Sequence, residues 1–205
     1  MTRKERIRKI LVYSIYILLV PAMQVSFSMP APFDGYTPDF MLLLVVISGY
    51  LFGTFDGAVV GLFVGLMRDY YAGPAWTFST ERPSALIGVG MLVFFYLGIL
   101  ASLIFAKAFH RRLSMAFVQV LLFTFIYKII GHISVFFVGV VSTGSPAYLT
   151  FSQIVLQSIL PQILLNIIAA VPIVLCLKYL GPYKSGINRM LPDVGEGKGR
   201  QWQIA

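Results

Sequence analysis

The stretch Gly57-Ala-Val-Val-Gly61-Leu-Phe-Val-Gly65-Leu-Met-Arg-Asp69 places a glycine at every fourth residue and ends on an acid. At about 3.6 residues per turn these positions lie along one helix face, drifting slowly around it. Gly49 and Gly53 carry the same period backwards. A glycine edge lets two helix backbones approach closely. That matters most in lipid, where packing replaces the hydrophobic drive between helices. We read Gly49, Gly53, Gly57, Gly61 and Gly65 as a helix-packing motif. Its simplest use is packing within the chain; the same face is also suited to shaping a site or docking a partner helix.

The surrounding composition sets the solvent. The chain has 205 residues, 58% hydrophobic and only 12% charged, with a mean hydropathy of +0.84. Soluble domains carry roughly 25% charged residues. These values exclude a soluble enzyme, a disordered chain and a nucleic-acid binder. The net charge of +8 does not reverse this. No Lys or Arg occurs in the 58 residues from Ile10 to Met67, and Lys128 alone interrupts Leu113 to Leu177. Basic patches between long apolar runs mark a multi-pass helical membrane protein.

A spanning helix needs about 20 apolar residues. Six candidates follow: Ile10–Phe27, Asp39–Thr54, Gly57–Tyr71, Ala85–Ala106, Ser114–Val140 and Leu149–Leu180. The second and third hold 16 and 15 residues. Each reaches about 23 Å at 1.5 Å per residue, so they are two short spans or a re-entrant hairpin, with a turn expected at Asp56-Gly57. Pro161 and Pro172 are expected to kink the sixth. The resulting division is a basic cytoplasmic head (1–9), a six-helix transmembrane domain (10–180) and a mobile, solvated cytoplasmic tail (181–205).

Thirteen of the sixteen basic residues then fall on one side, in the head, the patch 107–112 and the stretch from Lys178 onward. The positive-inside rule makes that side, and both termini, cytoplasmic. Arg68 and Arg82 fall on the outer face, and Lys128 lies within the membrane. Phe33, Tyr36, Tyr70, Tyr71, Trp76 and Tyr148 are expected in an outer aromatic belt, and Phe109, Tyr179 and Tyr183 in an inner one. The basic patches are suited to anionic lipids.

The intramembrane polar residues are Asp69, Lys128, His132, Gln157 and Asn166, with Gln153 and Gln162 beside them. Asp69 and Lys128 stand at matching depth, about 20 Å from the inner ends of their spans; either they form an interhelical ion pair, or Lys128 snorkels outward and Asp69 meets water. His132 shares a face with Lys128 and is read as a hydrogen-bonded interior residue, since a metal site lacks co-ligands. The amides are read as interhelical hydrogen-bonding groups. Cys176 stands alone and is expected to pack as a small hydrophobe. No nucleophile elbow, zinc-binding HExxH or phosphate-cradling loop occurs, so we expect no enzyme activity, no metal and no cofactor.

Pro38-Asp39-Phe40-Met-Leu-Leu-Leu-Val-Val, followed by Gly57-x-x-x-Gly61-Leu-Phe-Val-Gly65-Leu66-Met-Arg-Asp69-Tyr-Tyr-Ala-Gly73, resembles the rod shape-determining protein MreD family of bacteria. That family shows a Pro-Asp opening its second span and then G-F-x-x-G-L-x-x-D and a Gly. Here Leu62 stands where Phe is usual, and Arg68 beside the acid is unusual. The matching positions are Pro38, Asp39, Gly61, Gly65, Leu66, Asp69 and Gly73, within residues 38–73. The resemblance implies an all-α, six-transmembrane-helix bundle similar to the substrate-binding subunits of energy-coupling-factor transporters. It further implies a non-catalytic adaptor of the elongation machinery in the bacterial inner membrane. Its implied partners are the bitopic protein MreC and, through it, MreB, RodA and its transpeptidase. The alternative is a vitamin-type binding subunit of such a transporter.

Overall fold

The structure, a computed structural model, describes residues 3–27, 36–71, 88–108, 113–143 and 151–183. These form six helices: α1 (Arg3–Ser26), α2 (Phe40–Phe52), α3 (Thr54–Tyr71), α4 (Val89–Ala108), α5 (Leu113–Thr143) and α6 (Phe151–Tyr179). Within α6, residues Val155–Ile159 form a π-helical turn. No strand occurs among the described residues.

Successive helices alternate in direction between two ends of the bundle. At the turn end, Asp56 of α3 meets Lys9 of α1 and Tyr183 just beyond α6. At the open end, Gln24 of α1 accepts from the Phe40 amide at the start of α2. There too Asp69 of α3 meets the first turn of α4. Thr54 and Ser102 join the α2–α3 turn to the later part of α4 at 3.0 Å. Arg3 and Tyr183, the first and last described residues, therefore lie toward the same end.

The organising element is α2. All thirteen of its residues are buried, and it touches each of the other five helices. Its sequence, FMLLLVVISGYLF, is apolar on every face, as a helix walled by protein on all sides must be. At 1.5 Å per residue it is only about 20 Å long. From Lys9 to Gln24 on α1, and from Asn166 to Gly181 on α6, the same ends lie about 22 Å apart by that rise. The α2–α3 hairpin thus runs from one end of the bundle to the other. Because α2 meets protein and not lipid, its shortness creates no mismatch for it to relieve.

The turn lies earlier than the sequence suggests. Gly53, at φ 102° and ψ 179°, ends α2, and Thr54 begins α3. Asp56 and Gly57 belong to the first turn of α3. Gly53 therefore leaves the packing series: it breaks the chain at a φ that suits glycine. The other four glycines press on α4. A β-carbon at Gly49 or Gly57 would strike the Gly98 carbonyl. One at Gly61 would lie 2.8 Å from the Phe94 carbonyl carbon, and one at Gly65 2.6 Å from the Met91 Cα. Gly98 is the reciprocal gap, its missing β-carbon lying 2.5 Å from the Gly57 carbonyl carbon.

Around its apolar core the bundle buries several polar groups and exposes many large apolar ones. Asp39, Arg68, Asp69, Gln162 and Asn166 are buried, while Ile10, Leu18, Leu164 and Ile168 are exposed. Helices α1, α5 and α6 each hold a segment long and apolar enough to cross a membrane, and α2 and α4 are shorter apolar helices. The chain is a helical membrane protein. Arg3–Lys9 form the first turns of α1 and not a separate head, and Gly181 to Tyr183 are packed onto the bundle and not solvated. Cys176 is exposed on α6 and lies outside the core. Residues 184–205, Ala85, Gly73 and the belt positions Phe33, Trp76, Phe109 and Tyr148 lie outside the described residues.

Gly61→Val should therefore destabilise the protein by about 1–3 kcal/mol through overpacking against α4. Phe63→Leu, on an exposed position of the same helix, should stay within about 0.5 kcal/mol. Reversible unfolding in detergent distinguishes the two; equal losses would refute the glycine contact.

Candidate functional site

The open end is built around an irregular stretch of backbone. Residues Tyr36 to Asp39 lead into α2 as irregular chain, joining the helix where the Asp39 carbonyl accepts the Leu43 amide at 3.0 Å, and backbone groups at membrane depth must find partners in protein. Helix α6 supplies them. Gln162 Nε2 donates to the Thr37 carbonyl at 2.8 Å, and Asn166 Oδ1 accepts from the Asp39 amide at 2.7 Å. The reverse exchange occurs at Pro161, which has no amide to give the carbonyl four residues earlier. That carbonyl belongs to Gln157, and the Tyr36 hydroxyl donates to it at 2.7 Å. Asn166 thus acts as an interhelical amide, as expected. Gln157 contributes its backbone here, and its residue is exposed.

Asp39 caps α2, accepting the Leu42 amide at 3.0 Å, and carries a second burden. Arg68 Nη1 donates to both of its oxygens, at 2.8 and 3.1 Å. The pair is buried, and the Arg68 guanidinium lies against both the Phe94 and Tyr127 rings, 5.0 and 4.9 Å from their centroids, the two rings themselves meeting edge to face at 5.6 Å. Charge pairing, a helix N-terminus and two aromatic faces together offset desolvation. Arg68 is therefore an interior ion-pair residue and not a charge of the outer face. A signal for this was present: Arg68 stands three residues after Gly65, on the edge already read as inward.

Asp69 does not pair with Lys128. Its Oδ2 accepts from the Gly88 and Met91 amides at 2.8 and 3.1 Å, and its Oδ1 from the Gly90 amide at 2.9 Å. The carboxylate of one helix caps the next, where amides and helix dipole favour an anion. Gly90 is required beneath it: a β-carbon there would overlap the Asp69 carboxylate. Matching depth does not place two residues on facing surfaces, and Lys128 lies on the side of α5 that faces α6.

That side forms an antiparallel ladder. Thr124 Oγ1 accepts from Asn166 Nδ2 at 3.0 Å, and His132 Nε2 lies 3.1 Å from Ser158 Oγ. His132 is hydrogen-bonded, as its lack of co-ligands suggested. Lys128 occupies the middle rung, opposite Gln162 by register.

At the turn end Asp56 is buried and binds two partners. Lys9 Nζ stands 2.5 Å from Oδ1, and the Tyr183 hydroxyl donates to Oδ2 at 2.5 Å. The rings of Tyr13, Phe55 and Tyr183 surround the Lys9 ammonium at 5.2–5.9 Å. Burial and the bond to Asp56 hold the Tyr183 phenol above its ordinary pKa, keeping it a neutral donor. Arg8 donates to the Gly181 carbonyl at 3.3 Å.

Chemically, Asp39, Asp56 and Asp69 are each saturated by donors from this chain. Among the described residues no group of three His, Cys, Asp or Glu side chains is placed to hold a metal. No protein-family model, curated protein or solved structure matches the chain.

Removing one member of the Asp39–Arg68 pair strands a buried charge. Asp39→Asn and Arg68→Met should each cost about 3–5 kcal/mol, and the double variant clearly less than their sum. Asp69→Ala and Lys128→Met should combine additively, within about 0.5 kcal/mol. Double-mutant cycles from unfolding in detergent check both, and a large Asp69–Lys128 coupling would restore the pair expected from sequence.

Proposed function

We propose that this chain is a non-catalytic adaptor of the bacterial cell-elongation machinery, similar to MreD, with six spans in the inner membrane and both termini cytoplasmic. In this reading the turn end faces the cytoplasm and the open end the periplasm. The bundle presents a rigid face to the bitopic protein MreC, and through MreC serves MreB, RodA and its transpeptidase in lateral peptidoglycan synthesis. The same reading assigns the bundle to the six-helix kind of energy-coupling-factor substrate-binding subunits, on the family resemblance of residues 38–73.

The observation that carries this reading is the division of α3 into two edges. One edge is consumed by α4, through Gly57, Gly61 and Gly65. The other leaves Phe63, Leu66, Tyr70 and Tyr71 exposed, at 45, 37, 77 and 56%. Leu66, Met67, Tyr70 and Tyr71 line an open depression of about 300 Å³ on the surface of α3. Tyr70 and Tyr71 stack edge to face with centroids 5.0 Å apart, forming a stiff aromatic tip where a partner's apolar helix can lie. Of the motif positions, Pro38, Asp39, Gly61, Gly65 and Asp69 are buried and hold the body rigid, while Leu66 faces outward. A rigid body with an exposed apolar edge on α3 suits an adaptor, because a pre-organised surface loses little freedom on binding.

Depleting the protein from a rod-shaped host should give round cells, and a single-span partner should co-purify with it. Leu66→Lys should reduce that co-purification at least about tenfold by placing a charge in the apolar contact. Rod-shaped depleted cells that lose uptake of one nutrient would overturn the adaptor in favour of the transporter subunit.

A further inference from the structure

The ladder between α5 and α6 has one rung without a bond. Positions 124, 128 and 132 of α5 face 166, 162 and 158 of α6, with each step of four residues matched by a step of four in the opposite direction. The outer rungs are closed by Thr124 with Asn166 and by His132 with Ser158. In the middle, Gln162 turns its N–H groups to the Thr37 carbonyl and Asn166 Oδ1, and no hydrogen bond joins it to Lys128. The Lys128 ammonium has no hydrogen-bond or ion-pair partner among the described residues.

The nearby acids are already used. Asp39, the acid in electrostatic range of Lys128, takes Arg68 on both oxygens and the Leu42 amide. Asp69 takes three amides of α4. Arg68 itself adds a second positive charge beside Lys128. The seam therefore holds a basic side chain without an ion-pair or hydrogen-bond partner among the described residues, an arrangement suited to receiving an anion.

We propose that this rung binds a phosphate group, supplied by the headgroup of a membrane lipid. Lys128 brings up to three N–H donors and the charge. Ser158 brings a hydroxyl, which the π-turn of α6 carries, and His132 brings a ring nitrogen that exchanges its present contact for the phosphate. A tetrahedral phosphate with several acceptor oxygens matches donors arriving from two helices. The site is open to lipid: Lys128 is half-buried, and Phe125, Leu156 and Leu160 around it are exposed. The rung lies about one helical turn, roughly 6 Å, beyond the Asn166–Asp39 level toward the open end. The proposal rests on the ladder alone and stands whether or not the chain is an elongation adaptor.

The test uses the full chain in detergent, delipidated and then titrated with phosphatidylglycerol, with bound lipid counted by native mass spectrometry. Wild type should hold one lipid that Lys128→Gln weakens about tenfold or more, as expected for a charge-assisted contact. Lys128→Arg should retain it, Ser158→Ala should weaken it severalfold, and Lys178→Gln should leave it unchanged. A parallel titration with inorganic phosphate, read by thermal unfolding, separates the two sources. Lys128-dependent stabilisation by phosphate without lipid retention would overturn the lipid source and leave a free-anion site. Because Ser158→Ala keeps the charge, it tests the site even if Lys128→Gln does not fold. Equal lipid retention in wild type, Lys128→Gln and Ser158→Ala would overturn the proposal.

Discussion

The backbone of α3 lies directly on the backbone of α4, and the rest of the bundle follows from that contact. It exists because Gly57 and Gly98 each present no side chain to the other, and because Gly61 and Gly65 continue the gap toward the open end. Van der Waals attraction falls away within fractions of an ångström, so in lipid a seam of this kind holds only if it closes completely. Closing it brings the end of α3 against the start of α4, where Asp69 replaces the capping residue that α4 lacks. Gly49 reaches the same Gly98 carbonyl from α2, so three helices meet at one point and the central helix is fixed along with the pair.

The buried charges obey one rule: each carboxylate completes an unfinished backbone or a nearby cation. Asp39 finishes α2 and holds Arg68; Asp69 finishes α4; Asp56 ties Lys9 and Tyr183 across the turn end. Such groups add less net stability than their contacts suggest, because desolvation consumes much of the attraction. Their larger effect is on uniqueness. A helix slipped by one residue against its neighbour would leave a charge unpaired inside the bundle, a loss several times the thermal energy.

Much of this could be read from sequence, and what could not has a physical reason. The glycine period located the α3 edge because a period of four is a property of one helix. It misplaced Gly53, since a glycine in a turn and a glycine in a seam look the same until φ is known. Gly98 and Gly90 went unread because their spacing of eight makes sense only opposite α3. Depth along a helix was countable, so Asp69 and Lys128 were found level. The angle between helices was not, so the partners were wrong: Asp69 meets amides and Asp39 meets Arg68. The α5–α6 ladder was partly visible, in Gln162 and Asn166 four apart, but Ser158 and Thr124 were lost among polar residues that carry no charge.

The shortness of α2 connects architecture to use. A 13-residue helix cannot face lipid along its length without exposing its ends to hydrocarbon. Here it is enclosed by α1, α3, α4, α5 and α6, and the longer apolar helices α1, α5 and α6 supply the spanning segments in its place. Arg68, Lys128 and the exposed Tyr70–Tyr71 pair lie toward the open end, so a rigid core gathers charge and aromatic surface at one rim. Such a rim can hold a lipid in the α5–α6 seam and a partner helix along α3 without either competing for the other's surface, since the two lie on different helices.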